Sequence, residues 1–293
     1  MPFDRLEKIL DSEVQQIGET GALKGDEDVI TEVQPPAVGT GPRFRLAGHG
    51  EKLFLRMNSN SYLGMSLRPE VMVAEEEATR AFGAGPGAVR FISGSYRTHV
   101  DLEGRLAGFH GREAGMIYSS AYATTMGVLP ALITDQTAVI SDELNHNCII
   151  NAMRLSRPNQ KHIFRHLDLA DLEDKLEAAS GSCQRAVVVT DGIFSMRGDW
   201  APLPEIVEMV DRFDDRFAEN AVLVVDDSHG VGAFGATGRG TEEHTGSPPV
   251  DVLVATLGKA MGVNGGYVVG SRGLVDYLRE KSAFYIYSNP ITP

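Results

Sequence analysis

Three residues that could do chemistry on a small molecule each follow an apolar run in this chain. The first is Asp226, in Val225-Asp226-Asp227-Ser228-His229-Gly230, directly after Ala221-Val-Leu-Val-Val225. A carboxylate at the end of a buried strand is costly unless it meets a cation. A protonated pyridine nitrogen would be such a cation, and held charged it would draw electrons from a substrate attached to the ring. A metal site or a helix cap would also account for Asp-x-x-His. The second is Lys259, in Thr256-Leu257-Gly258-Lys259-Ala260. At the mouth of an apolar site a lysine loses its proton more easily and can attack a carbonyl. The hydroxyl of Thr256, three residues earlier, could hold a phosphate oxygen. The alternative is a surface lysine in a loop, the usual fate of that residue. The third is Ser195, in Asp191-Gly192-Ile193-Phe194-Ser195-Met196, which could donate to a ring oxygen or serve a turn.

Positioning such groups requires a scaffold, and the hydrophobic pattern supplies one. Continuous apolar runs at Met116–Tyr118, Thr137–Ile140, Ala186–Thr190, Ala221–Val225, Val252–Ala255 and Tyr267–Val269 read as strands covered on both faces. Helical spacing appears at Pro69–Phe82, at Val100–Phe109, at Leu169, Leu172 and Leu176, and at Ile206, Val207, Val210 and Phe213. Alternation of the two predicts an α/β fold with a mostly parallel central sheet and helices on both faces. In such sheets ligands gather beyond the carboxyl ends of the strands, where Asp226, Lys259 and Ser195 fall. Upstream, Phe3, Leu6, Ile9 and Leu10 predict a short helix, followed by a Pro/Gly-rich loop arm. Lys52 to Met57 alternates like a strand. The expected division is an N-terminal helix and arm over 1–57 and a large ligand-binding domain over 58–293.

Composition narrows the function. A net charge of −13 argues against nucleic acid or an anionic membrane as main partner, although a local nest of backbone N–H groups can still bind a phosphate. Only Cys148 and Cys183 occur, which fits a reducing compartment. The N-terminus lacks the apolar core of a signal peptide and no apolar run spans a bilayer, so the expected location is the cytoplasm.

Taken together, these strand ends resemble the α-oxoamine synthases, within the fold-type I (aspartate aminotransferase-like) pyridoxal-phosphate enzymes. The resemblance runs from about Asn58 to Pro293. It is carried by Asn60-Ser-Tyr-Leu-Gly64, Ser93-Gly94, Ser119-Ser-Ala-Tyr122, Asp142-Glu-Leu-Asn-His146 and the three segments above. Arg90-Phe-Ile92, Asp142 to His146 and Tyr287-Ser-Asn289 look most like the 2-amino-3-ketobutyrate CoA ligase (glycine C-acetyltransferase) branch. Gly198-Asp199 and Ala201-Pro-Leu203 look equally like the 8-amino-7-oxononanoate synthase branch.

The resemblance implies a pyridoxal 5'-phosphate held as a Schiff base on Lys259, with Asp226 on the pyridine nitrogen. It implies Ser195 and His229 on the ring oxygen and His146 stacked on the ring. Backbone N–H groups of Ala121 and Tyr122 at a helix N-terminus, with the Thr256 hydroxyl, would take the phosphate. Ser288 would reach the phosphate of a neighbouring subunit in a homodimer, and Asn60 would contact the amino-acid substrate. The implied reaction condenses an amino acid, glycine, with an acyl-CoA, acetyl-CoA; the alternative is alanine with a longer acyl-CoA. The chain stops just after Tyr287-Ser-Asn-Pro, where family members continue into a C-terminal small domain, so an inactive fragment or partner subunit is the non-enzymatic alternative. Intact Lys259, Asp226 and His146 count against it.

Two further readings are weaker. Gly83-Ala-Gly-Pro-Gly-Ala88 fits the loose dinucleotide pattern, but a helix precedes it and no acidic strand end follows at the right distance. His162 and His166 stand four apart, as zinc ligands on a helix would. Ile163-Phe164-Arg165 reads better as a strand, so no metal site is expected.

Overall fold

A computed structural model describes residues 3–293 as two compact units, one ending at Ser59 and one running from Asn60 to Pro293. The first holds helix α1 (Asp4–Glu19) and the antiparallel strands β1 (Ile30–Gln34) and β2 (Arg43–Leu46). Asp4 and Glu7 in the first turn of α1 suit the positive end of its dipole. The strand expected at Lys52–Met57 does not form. Only Phe54 bridges, exchanging both backbone hydrogen bonds with Phe44, while Leu53, Leu55 and Met57 stay exposed. Alternation makes a strand only where an adjacent ladder accepts it, and here one bridge is all that is available.

The second unit begins with α2 (Pro69–Phe82), whose proline occupies the first turn, where a missing N–H costs nothing. Then come α3 (Arg97–Phe109), β3 (Ala114–Tyr118), α4 (Ala121–Leu132), β4 (Thr137–Asp142), α5 (Asn147–Leu155) and β5 (Gln160–Phe164). The alternation continues through α6 (Leu169–Ser180), β6 (Arg185–Asp191), α7 (Leu203–Asp214), β7 (Ala221–Asp226), α8 (Thr241–Thr245) and β8 (Val252–Thr256). It closes with β9 (Gly266–Gly270), α9 (Arg272–Lys281) and α10 (Ala283–Ile286).

Seven strands form one sheet in the order β3-β9-β8-β7-β6-β4-β5, with only β9 running against the rest. Its inner strands carry continuous apolar runs because successive side chains enter two different cores. Val188, Leu223 and Leu253 face the layer of Leu172, Leu176, Ile206, Val210 and Phe213, from α6 and α7. Val187, Val189, Val224, Val252 and Val254 face the layer of Val128, Leu129, Ile149, Val275 and Leu278, from α4, α5 and α9. The fold is therefore the mostly parallel α/β sheet that the periodicity implies. Among the described residues no helix is long and apolar enough to cross a membrane.

Buried side chains fasten the loops at the carboxyl edge. The Asn145 amide donates to Ser141 Oγ and Val189 O, each at 2.8 Å, and its Oδ1 accepts from Asp191 N, so it ties β4 to β6. Asp227, fully buried, accepts from Thr241 N at 2.7 Å and Thr241 Oγ1 at 2.5 Å. Burial pushes its carboxyl up to about 7 despite those two donors. Because the folded value lies above the unfolded one of about 4, the contribution of Asp227 to stability is complete below pH ~4 and is lost as pH rises towards about 7. The Asp227→Asn variant keeps the shape and cannot ionise. Melting curves from pH 5 to 8 are expected to show wild type losing a few kcal/mol relative to this variant as pH rises; parallel curves would refute the titration.

Candidate active site

Four neighbouring strands, β4, β6, β7 and β8, end at a cleft of about 240 Å³. Its lining includes Ala121, Tyr122, His146, Ser195, Asp226, His229, Thr256 and Lys259. Those eight positions come from five separate segments of the sequence, and the fold brings them together. Ser288 and Asn60 are placed elsewhere: Ser288 is half-buried with its hydroxyl 3.4 Å from Asn289 O, and Asn60 is exposed.

At one end of the cleft lies the N-terminus of α4. Ser120 caps it by accepting from Ala123 N at 3.0 Å, and the N–H groups of the first turn have no acceptor within the helix. The backbone is close-packed there, for a Cβ on Gly266 of β9 would sit 2.2 Å from Ala121 N. Thr256 flanks this nest, its hydroxyl accepting from Gly258 N at 3.0 Å. Such a terminus is suited to an anion.

At the other end lie two carboxylates, Asp226 and Asp191, paired in register on adjacent strands. The two oxygens of Asp226 are supported differently. Oδ1 accepts from Ser228 N at 3.1 Å, and Oδ2 faces Thr125 Oγ1 at 3.4 Å and Cys148 Sγ at 3.6 Å. Asp191 Oδ2 accepts from His146 N at 3.0 Å. Burial, and then the charge of Asp226, raises the Asp191 carboxyl well above its ordinary range. Asp191 Oδ1 and Ser228 Oγ, both buried in the lining, have no hydrogen-bond partner among the described residues. A paired acid site with an orphaned oxygen is short of a cation or donor, and a protonated ring nitrogen would supply it.

His146 and Lys259 line the same cleft. His146 begins α5, its Nδ1 accepting from Cys148 N at 3.2 Å. Burial lowers the Lys259 amine, and Asp226 and Asp191 partly restore it. Its Nζ lies 2.8 Å from His229 Nε2. Burial and then Lys259 push His229 down to about 4, so its ring is neutral at physiological pH. Ser195 sits in a turn held by a hydrogen bond from Phe194 N to Asp199 O.

Several neighbours escaped the sequence reading. Asp191 stood inside a recognised segment, but its place beside Asp226 depends on strand order, which no local pattern encodes. Cys148, Thr125 and Ser228 act on Asp226 across the fold, and Tyr62 reaches His229 from 167 positions away. His162 and His166 do not meet as ligands. His162 bonds Gln160, while His166 lies between Asp142 and Asp199 with its ring edge on Phe194. Among the described residues no cluster of three metal-ligating side chains occurs.

An anion nest, an acid pair lacking a cation and a lysine in one cleft are the parts that a pyridine carrying an aldehyde and a phosphate requires. The donor set fits pyridoxal 5'-phosphate, and the fold is of the aspartate aminotransferase-like, fold-type I class. Comparison with known families agrees: residues 52–293 match the aminotransferase class I and II model, and the chain belongs to that family. It is 42% identical over 291 residues to the mitochondrial 2-amino-3-ketobutyrate coenzyme A ligase of Bos taurus, which covers 99% of this chain and 66% of the relative. It is 42% identical over 243 residues to the 8-amino-7-oxononanoate synthase of Thermosipho melanesiensis, covering 83% of this chain and 60% of the relative. The serine palmitoyltransferase of Sphingomonas wittichii superposes with a TM-score of 0.85 at 27% identity, covering 99% of this chain and 69% of that one. These relatives are α-oxoamine synthases, the group that the motifs resemble. The chain spans 60% to 66% of the length of these two curated relatives.

Proposed function

We propose that this chain carries the cofactor-binding part of a pyridoxal-phosphate-dependent acyltransferase that condenses glycine with acetyl-CoA. The observation that carries this reading is Lys259, its amine lowered by burial, in one cleft with the Asp226–Asp191 pair and the α4 N-terminus. Bound there, pyridoxal 5'-phosphate would supply an aldehyde to capture amines and a ring to accept charge from the amino acid's Cα.

The chain's own residues do the rest. Asp226 keeps a proton on the ring nitrogen, and Cys148 and Thr125 hold its Oδ2 in place. His146 would cover one face of the ring and exclude water from it. Ser195 and His229 would hydrogen-bond the ring oxygen. The N–H groups of Ala121 and Tyr122, with Thr256, hold the phosphate. With the cofactor bound, Lys259 would be placed to take one Cα proton of the amino acid; Cα would then bond the acyl carbon as the thioester bond breaks, and that proton would end on the departing CoA thiolate. Asn60 serves the amino-acid substrate, and Ser288 the phosphate of a partner subunit in a homodimer. Residues 58–293 are the domain that performs this work, after an arm over 1–57. The buried free thiols of Cys148 and Cys183 suit a reducing compartment such as the cytoplasm.

Glycine is favoured over alanine because the likeness to the ketobutyrate ligase extends over 99% of the chain. The second reading, alanine with a longer acyl-CoA, rests on equal identity to the oxononanoate synthase over a shorter span. CoA release from paired substrates tests both: turnover with glycine and acetyl-CoA is expected, and turnover only with alanine and a long acyl-CoA would replace the first reading by the second. No CoA release from any pair, in protein that has bound the cofactor, would leave the non-enzymatic alternative.

A further inference from the structure

The hydroxyl of Tyr62 lies 2.6 Å from His229 Nδ1, and Nε2 of the same ring lies 2.8 Å from Lys259 Nζ. On its far side Tyr62 Oη is 3.4 Å from Asn60 Oδ1, an atom that only accepts. Tyr62 is 43% exposed, whereas Lys259 and His229 are half-buried, so the row leads from the cleft outwards to water. Asp226, Asp191 and Cys148 bear electrostatically on Lys259, and Asp226 and His146 on His229. Among the described residues, Tyr62 and Lys259 are the hydrogen-bond partners of the His229 ring.

We propose that Lys259, His229 and Tyr62 form a proton relay that exchanges protons between the lysine amine and solvent. It extends the reading of Lys259 as the group that takes the Cα proton, and rests on that reading. Two proton arrangements fit the same heavy-atom positions. In the first, the Lys259 ammonium donates to Nε2, Nδ1–H donates to Tyr62 Oη, and the phenol O–H faces Asn60 Oδ1 or water. In the second, one Nζ proton has passed to Nε2, the Nδ1 proton to Tyr62 Oη, and the phenol proton to water. The lysine ends neutral, the imidazole ends neutral in its other tautomer, the tyrosine is unchanged, and one proton has left.

Each link has the properties that this hop needs. The ring is uncharged, because burial and Lys259 hold its pKa near 4, so it carries one proton and has one site open. Burial raises the Tyr62 phenol, which therefore stays protonated and can donate and accept at once. A phenylalanine at position 62 would preserve the ring's packing and interrupt the relay.

The test uses the full 293-residue chain with and without cofactor. In [15N]lysine-labelled protein without cofactor, exchange of the Lys259 ammonium protons with water is followed by NMR, assigned against Lys259→Ala. Tyr62→Phe is expected to slow this exchange about tenfold or more, a low value for a positioned acid–base group. With pyridoxal phosphate bound, loss of the glycine Cα hydrogen into D2O, without any acyl-CoA, is expected to fall by a similar factor at unchanged cofactor content. Tyr62→Gln separates a relay from a prop: its amide can hydrogen-bond Nδ1 but cannot readily pass a proton. Slow exchange in both variants supports the relay, and recovery in Tyr62→Gln overturns it in favour of simple positioning. Unchanged exchange in Tyr62→Phe also overturns it, while leaving the role of Lys259 intact. Failure of that prior reading would show separately, as glycine hydrogen loss that persists in Lys259→Ala.

Discussion

Lys259→Ala is expected to lose all measurable turnover and to lose the covalent, borohydride-fixable attachment of pyridoxal phosphate. Two properties of the site make this the largest effect. Among the described residues Lys259 is the amine that lines the cleft, alongside the anion nest and the acid pair, so it is the one placed to capture the aldehyde. It is also the group proposed as the base, and burial lowers its amine below the ordinary lysine range. Non-covalent binding of the cofactor is expected to survive, because the α4 terminus, Thr256 and Asp226 remain. The measurement is a visible spectrum with and without borohydride, followed by peptide mapping of the labelled residue. A fixed label on another lysine, or an undiminished rate in the variant, would remove Lys259 from its role.

Asp226→Ala should lower turnover by at least about 10²–10³, the range for loss of one preorganised electrostatic contact. Its effect on stability should differ in kind. Asp226 and Asp191 are in register on β7 and β6, and the charge of Asp226 helps to push the Asp191 carboxyl upwards. Removing one member of a like-charged buried pair relieves the other. The cofactor-free Asp226→Asn variant is therefore expected to melt no lower than wild type while its activity is strongly reduced. Such a split marks a group maintained for function at a cost in stability. A variant that lost stability and activity in parallel would instead make Asp226 a structural residue.

Much of this arrangement is visible in the linear sequence, and the reasons are physical. Runs such as Ala186–Val189 and Ala221–Val225 are apolar at every position because both faces are buried, so their polar successors stand out. Asp226, Ser195 and Lys259 lie just beyond such runs, at the edge where a parallel sheet gathers ligands. Information that lies in pairing is not visible. Lys52–Met57 has the period of a strand but meets one bridging residue, whereas Ile30–Gln34 and Arg43–Leu46 pair inside a stretch that reads as loop. The partnership of Asp191 with Asp226 follows from β6 lying beside β7, and that of Tyr62 with His229 from a fold that joins distant segments. Ser288 and Asn60 were singled out through family resemblance, and neither lines the cleft of the single chain.

The pairing of β3 with β9 bears on how the molecule reaches its native state. The first strand of the large sheet bonds to the last, Ala114 to Gly270, and β8, which leads to Lys259, lies inside that closure. Thr256 and Lys259 are therefore supplied by chain synthesised late, after β4, β6 and β7 have emerged. Pairings so distant in sequence make for slow folding, with hydrophobic edges open while they wait. The earlier strands can collapse on α6 and α7 without any means of retaining the cofactor by its lysine. Capture of pyridoxal phosphate on Lys259 during refolding thus reports the last topological event, and added cofactor should raise the yield of native protein by drawing off the species that has completed it.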